Sequence, residues 1–259
     1  MVAHPPVSMA VVAGTELLSP QWLTERIADM GVSWGTSDSR VSGTLWWCMA
    51  ASSLVDPIVA AIAADGPAFD PALEHLGLEI RPDGGVERVI PQPHGYRVAV
   101  TPLVIDPRGT ETMAAVLDAE SGLLAAGARL RAPDTAAGVE TCCATTPVGQ
   151  ALRYTLSRVI PVVAEVSGAG VAALWAIVAD AIGNRALDIG AEEAGARLAR
   201  DVAGRLPVPR FQDVGGRTFV RRISCCLVFE VPGCEMCTSC PKRPAAQRET
   251  LLGEVAARG

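Results

Sequence analysis

The sequence predicts an α+β protein: a helix-rich body, a small antiparallel sheet and a C-terminal cysteine-rich module. Three observations support this class. Most of the chain has apolar residues at helical spacing, with capping residues at the predicted ends. Residues 78–90 have the strand–turn–strand pattern of a hairpin. Five of the eight cysteines lie between positions 225 and 240.

The N-terminal elements follow from caps and breakers. Residues 1–18 are predicted to be a loose lead-in. Ser19-Pro20 begins a helix, because Ser is a favoured N-cap and Pro fits the first helical position; Gly31 is expected to end it. A second helix is predicted over 42–54. Asp56-Pro57 is expected to break it before a short helix continues to residue 64.

The middle of the chain changes character twice. The turn residues at 82–85 lie between the strands 78–81 and 86–90, and a further strand is predicted over 96–105. Helical patterning resumes over 110–131, and residues 133–146 are predicted to form a loop.

The last third is predicted to contain about three helices between 147 and 206, with breaks near 167–170 and near 183–184. A strand is expected over 217–231, and the tail after 245 is expected to form a short helix or to fray. These patterns suggest a body at 1–215, a cysteine-rich module at 216–245 and a tail at 246–259.

Composition excludes several classes. The net charge of −6 argues against a general nucleic-acid binder, which needs a basic surface. No uninterrupted apolar run reaches the ~18 residues of a membrane span. The N-terminus lacks the basic region of a signal peptide, so a cytoplasmic location is expected. In a reducing cytosol, clustered cysteines are more often metal ligands or redox groups than structural disulfides.

Four of the clustered cysteines form the pattern Cys-Cys-x10-Cys-x2-Cys, at Cys225, Cys226, Cys237 and Cys240. The Cys237–Cys240 spacing suits zinc and iron–sulfur sites alike. Adjacent side chains in a strand point to opposite faces, so the Cys225-Cys226 pair is awkward for one zinc ion. A two-iron cluster accepts neighbouring cysteines more easily. The residues alone leave zinc and iron–sulfur chemistry both open.

Cys234 adds an alternative. With Cys237 and Cys240 it forms Cys-x2-Cys-x2-Cys before Pro241, which partly resembles a bacterial ferredoxin run. The fourth cysteine of that run is missing, so a [4Fe–4S] cluster is the less favoured reading. Cys234 could also substitute for one of the four ligands.

The cysteine pattern, preceded by Arg221-Arg222 and followed by Pro241, resembles the C-terminal signature of the FhuF-type ferric-siderophore reductases. The upstream stretch 43–47 is similar to that family only loosely. The resemblance implies a cytosolic α+β protein whose [2Fe–2S] cluster is held by Cys225, Cys226, Cys237 and Cys240, with Cys234 outside the pattern.

The resemblance also implies a function. One electron passes from the cluster to the Fe(III) of a ferric siderophore and releases Fe(II), which would serve iron assimilation. An external donor such as a ferredoxin or its reductase would supply the electron. Arg221, Arg222 and Trp46 are predicted to lie at the substrate or donor face. The alternatives are a zinc-stapled binding or scaffold protein, and an iron–sulfur carrier without a siderophore substrate.

Other motifs are weaker. Residues 168–173 fit Gly-x-Gly-x-x-Ala, but helical patterning on both sides argues against a dinucleotide site. Cys142-Cys143 has no Cys-x2-Cys partner and is read as incidental. Cys48 is expected in the core, and Asp180 is expected to face solvent or cap a helix. The remaining candidates are isolated histidines without metal-binding spacing: His4, His75 and His94.

Overall fold

The computed structural model describes residues 10–92 and 146–258. Several predictions fall outside these ranges: the strand over 96–105, the helix over 110–131, almost all of the loop over 133–146, Cys142-Cys143, His4 and His94.

The described residues form six α-helices and five β-strands, which confirms the α+β class. The helices are α1 (Pro20–Trp34), α2 (Ser39–Ala63), α3 (Pro147–Ser167), α4 (Val171–Asp188), α5 (Glu192–Val202) and α6 (Ala245–Ala256). The strands are β1 (Ala10–Ala13), β2 (Leu76–Ile80), β3 (Val86–Pro91), β4 (Phe211–Val214) and β5 (Arg217–Val220).

Helix α1 begins at the residue that its N-cap predicts, but it ends three residues after the predicted end at Gly31. The Ser19 hydroxyl accepts a hydrogen bond from the Trp22 N–H at 3.3 Å, and Pro20 is the first helical residue. The helix continues past Gly31 to Trp34, where Gly35 takes the left-handed conformation with φ 69°. Gly31 instead allows a close approach, because a Cβ there would lie 2.8 Å from the Thr36 carbonyl oxygen.

Helix α2 is continuous through Pro57, so the predicted break at Asp56-Pro57 is wrong. Apolar residues are buried on both sides of the proline, including Leu54 and Ile58, and their packing offsets the hydrogen bond that proline removes. Of the described helices, α2 is the one whose length and apolar composition would allow it to cross a bilayer. Half of its most apolar window is buried within the protein.

The larger sheet is antiparallel with strand order β1-β2-β3. The predicted hairpin is confirmed as β2 and β3, and Gly84 has φ 79° in the turn between them. Strand β1 was missed, because four apolar residues without a turn signal gave no recognisable pattern. The lead-in prediction is therefore wrong for Ala10–Ala13, which pairs with β2.

Three helices lie between residues 147 and 206, as predicted. Helix α3 ends at Gly168 with φ 76°, so the glycine motif at 168–173 connects two helices and does not follow a strand. Helix α4 continues through Gly183, so the break expected there is wrong. A Cβ at Gly183 would lie 3.0 Å from the Pro209 Cβ, which indicates that this glycine provides room for packing.

The hydrophobic core lies around α2, which packs against α1, α3 and α4. Trp46 and Trp47 are fully buried, with ring centroids 6.3 Å apart. Their indole N–H groups donate to the carbonyls of Gly84 and Leu174 at 2.9 and 3.0 Å. A buried indole needs such a partner, so both rings are structural.

A two-stranded hairpin of β4 and β5 leads into the cysteines. Gly215 and Gly216 both have positive φ, as a tight hairpin turn requires. The strand predicted over 217–231 ends at Val220. Beyond it the Asp180 side chain accepts the backbone N–H groups of Ile223 and Ser224. Those donors are therefore unavailable to a strand partner.

Candidate metal centre

Four cysteine thiols meet in two pairs within the cysteine segment (residues 221–243). The sulfurs of Cys225 and Cys240 are 3.8 Å apart. The thiols of Cys226 and Cys237 form a second pair, close enough for each to shift the pKa of the other. Each pair joins one of the adjacent cysteines, Cys225 or Cys226, to one cysteine of the Cys-x2-Cys motif, Cys237 or Cys240. The structure thus places the four cysteines that the sequence singled out in two pairs.

The backbone around the first two cysteines turns sharply. Leu227 adopts the left-handed conformation with φ 62°, which is uncommon for a residue with a side chain. In this turn the backbone N–H of Leu227 favours the thiolate of Cys225, and that of Val228 favours the thiolate of Cys226, so each lowers the pKa of its thiol. The turn lets neighbouring side chains serve one site, which an extended strand would prevent.

The second half of the cysteine segment is fixed by arginine side chains. Arg243 donates from Nε to the Cys237 carbonyl at 2.9 Å and from Nη2 to the Met236 carbonyl. The Arg248 guanidinium, on α6, donates to the carbonyls of Cys240 and Arg243. The Cys240 N–H also donates to the Cys237 carbonyl at 3.2 Å, which forms a turn between these two cysteines.

The thiols of the two pairs have shifted pKa values, and the direction differs from one cysteine to another. The interaction with Cys237, the Val228 N–H and Arg222 together lower the pKa of Cys226 to about 5, although burial acts in the opposite direction. The same interaction between the two thiols, together with burial, raises the pKa of Cys237. Burial also raises the pKa of Cys225. Since thiolates are the metal-binding form, the interaction between Cys226 and Cys237 favours a thiolate within this pair.

Asp180, on α4, anchors the start of the cysteine segment. Its side chain is almost fully buried and accepts hydrogen bonds from the Ile223 N–H at 3.1 Å, the Ser224 N–H at 2.8 Å and the Ser224 hydroxyl at 2.5 Å. The expectation that Asp180 faces solvent or caps a helix is wrong. The signal for its role was an acidic residue within an otherwise apolar helix, because a buried carboxylate needs donors.

The two predicted arginines of the substrate face lie differently. Arg221 is exposed, and its N–H donates to the Arg210 carbonyl at 2.8 Å. Arg222 is largely buried, with Nη1 3.6 Å from the Cys237 sulfur and Nε 3.6 Å from an Asp180 oxygen. Burial lowers the pKa of Arg222, but the sulfurs of Cys237 and Cys226 and the Asp180 carboxylate raise it, and the net direction is upward.

The remaining candidates lie outside the two thiol pairs. Trp46 was expected at the substrate face, but it is fully buried and cannot reach a substrate there. Cys234 is half-buried against the hydrophobic core and joins neither pair. Cys48 also packs against the core, as expected, and burial raises its pKa to about 12. His75 pairs with Asp70, with 2.6 Å between Nδ1 and Oδ2.

Residues 222–242 match the family model described as the FhuF 2Fe-2S C-terminal domain. The chain carries a FhuF-type 2Fe-2S C-terminal domain. The match covers all five clustered cysteines, and the cofactor of such a domain is a [2Fe–2S] cluster. The chain matches no curated protein and no solved structure.

The thiols present fit this cofactor. Among residues 10–92 and 146–258, no three His, Cys, Asp or Glu side chains are close enough together to hold a single ion. Two separate thiol pairs suit a cluster of two irons, each of which takes two cysteines. Two thiolates ~2.3 Å from one tetrahedral metal ion are about 3.8 Å apart. The sulfurs of Cys225 and Cys240 have that spacing.

Proposed function

We propose that this protein is a cytoplasmic ferric-siderophore reductase, in which Cys225, Cys226, Cys237 and Cys240 hold the [2Fe–2S] cluster. The observation that carries the proposal is the pairing of these four thiols within the FhuF-type 2Fe-2S domain. The pairing also suggests how the ligands divide: Cys225 with Cys240 on one iron, and Cys226 with Cys237 on the other.

The bound cluster would supply a one-electron reductant. Hydroxamate and catecholate oxygens are hard ligands that hold Fe(III) much better than Fe(II). A single electron therefore converts a tight ferric complex into a labile ferrous one. The protein has to hold the cluster near its surface and to dock the chelate beside it.

Two features of the cysteine segment support the proposal. Cys225, Cys226 and Cys237 are half-buried, so the electron has only a short way to travel to a docked molecule. Arg221 and Ile223 are exposed beside them and offer a cationic and an apolar contact to a chelate or to a donor protein. In the proposed cycle a separate ferredoxin or its reductase restores the electron.

The proposal is tested by mixing reduced protein with its candidate substrates. The protein is reduced anaerobically with dithionite, desalted, and mixed with ferric hydroxamate or ferric catecholate siderophores and a ferrous-specific chelator. We expect the oxidised cluster spectrum to return as the ferrous complex forms. Cys237→Ala, which lacks one proposed ligand, should give no ferrous complex.

Two outcomes would redirect the proposal. Reoxidation by a redox dye but by no siderophore of either class would make the protein an electron carrier. A colourless protein that holds zinc would make the thiols structural. Trp46→Phe serves as a further control: because Trp46 is buried, its substitution should leave the rate of ferrous release unchanged.

A further inference from the structure

Among residues 10–92 and 146–258, Arg222 is the arginine whose guanidinium reaches a cysteine sulfur of the thiol pairs. Its Nη1 lies 3.6 Å from the Cys237 Sγ, and only 18% of its side chain is exposed. Its chain neighbour Arg221 is exposed. The two residues therefore carry the same charge at adjacent positions, with only Arg222 at the sulfur.

Asp180 fixes this arrangement from the core. Asp180 lies in the middle of α4. The two residues before it in the helix, Val178 and Ala179, are fully buried. The Asp180 carboxylate binds the backbone of Ile223 and Ser224 and lies 3.6 Å from the Arg222 Nε. One buried side chain thus holds both the arginine and the backbone that leads into Cys225 and Cys226.

The contact between Arg222 and Asp180 is electrostatic and not a tight hydrogen bond. The Arg222 Nε is buried and has no hydrogen-bond partner. The Asp180 oxygens are occupied by the Ile223 and Ser224 donors. The guanidinium is therefore held near the carboxylate while a terminal nitrogen remains directed at Cys237.

We propose that Arg222 sets the reduction potential of the cluster and that Asp180 is the positioning residue that holds Arg222 at the Cys237 sulfur. The inference rests on the proposed ligand set, and it concerns the redox preference of the site, which is independent of the substrate. Reduction adds one negative charge to the cluster. A buried cationic donor at a ligand sulfur stabilises the reduced state and raises the potential.

The test is a matched pair of charge removals, Arg222→Gln and Arg221→Gln, measured by redox titration of the visible spectrum without siderophore. We expect Arg222→Gln to lower the ratio of reduced to oxidised cluster at a fixed potential about tenfold, equivalent to ~59 mV for one electron. Arg221→Gln should change it much less, because a solvated charge is screened. Equal shifts in the two variants would overturn the proposal.

Arg222→Lys keeps the test decisive if Arg222→Gln does not retain a cluster. Lysine preserves the charge but lacks the planar fork that reaches sulfur and carboxylate together. The reduction potential of Arg222→Lys should fall below that of the unsubstituted protein. An unchanged potential in Arg222→Lys would contradict a specific donor role.

Asp180 is tested by non-additivity. If Asp180 acts through Arg222, the change in potential caused by Asp180→Asn should shrink when Arg222 is already Gln. Additive changes would refute the positioning role. Asp188→Asn is the matched control, because Asp188 lies on the same helix, is exposed and pairs with Arg185. It should alter neither the potential nor the iron content.

The inference and the proposed function fail separately. The potentials are measured with no iron chelate present, so a protein that reduces no siderophore still tests Arg222. Conversely, a potential that is insensitive to Arg222 leaves the ferrous-release experiment intact.

Discussion

The helical body and the cysteine segment are stabilised in different ways. The body buries large apolar side chains completely, among them Trp47, Leu156 and Ile160. The cysteine segment has little regular secondary structure and is held by side chains that bind its backbone, chiefly Asp180, Arg243 and Arg248.

Because the two regions are stabilised differently, folding of the body should depend little on the cluster that the cysteine segment would hold. Apolar burial of roughly 25 cal/mol per Å² stabilises the body without any cofactor. The thiol pairs gain their full stability only when a metal replaces their protons, because metal binding and local folding are coupled. A change in one region should therefore leave much of the other intact.

The largest effect is expected from removing a single ligand. Cys226→Ala should abolish the cluster, because the remaining thiols cannot complete four-cysteine coordination. Visible absorption and iron content of anaerobically purified protein measure this loss. Cys234→Ala is the matched control and should keep the spectrum, since Cys234 joins neither thiol pair. Cluster loss in Cys234→Ala would show that the ligand set is misassigned.

The next effect concerns removal of the whole cluster. Stripping it with a chelator under oxidising conditions should leave the helical circular dichroism nearly unchanged, because most of the buried apolar side chains belong to the helices. Limited proteolysis should become faster within residues 227–242, because metal binding and local folding are coupled. Collapse of the helical signal would contradict the independence of the two regions.

A smaller effect is expected from a cavity in the body. Leu156→Ala on α3 removes a fully buried side chain and should lower the free energy of unfolding by about 2–5 kcal/mol. Tyr154→Ala on the same helix, where the side chain is exposed, should change it by less than ~0.5 kcal/mol. Denaturant titration gives both values. The purified variants should retain the visible spectrum.

The smallest effect is expected where the two regions meet through an ion pair. Glu230 binds Arg40, at the start of α2, and lies 3.8 Å from Lys242. Because the pair is partly exposed, Glu230→Gln should cost only about 0.2–1 kcal/mol. Glu235→Gln, at an exposed position in the same segment, should cost less. A larger loss at Glu230 would mean that the body and the segment unfold together.

The sequence predicted the elements whose signals are local. Ser19-Pro20 marked the start of α1, and the turn at 82–85 marked the β2–β3 hairpin. The cysteine spacing indicated the four thiols that the structure pairs. Caps, turns and ligand spacing act over a few residues, so they can be read directly from the chain.

The failures have tertiary causes. Pro57 did not break α2, because buried side chains on both sides stabilise the helix. Trp46 was expected at the substrate face, but the Gly84 carbonyl and the surrounding core hold it inside. Asp180 was overlooked, because its partners, Ile223 and Ser224, lie more than 40 residues away in the sequence. No local pattern could connect them.

The most direct test of the central claim is the cofactor content of anaerobically purified protein. Iron, acid-labile sulfide and zinc are quantified together with the visible spectrum. The ligand set predicts a red-brown protein with two irons and two sulfides per chain, lost in Cys226→Ala and retained in Cys234→Ala. A colourless protein with stoichiometric zinc and no sulfide would contradict the account.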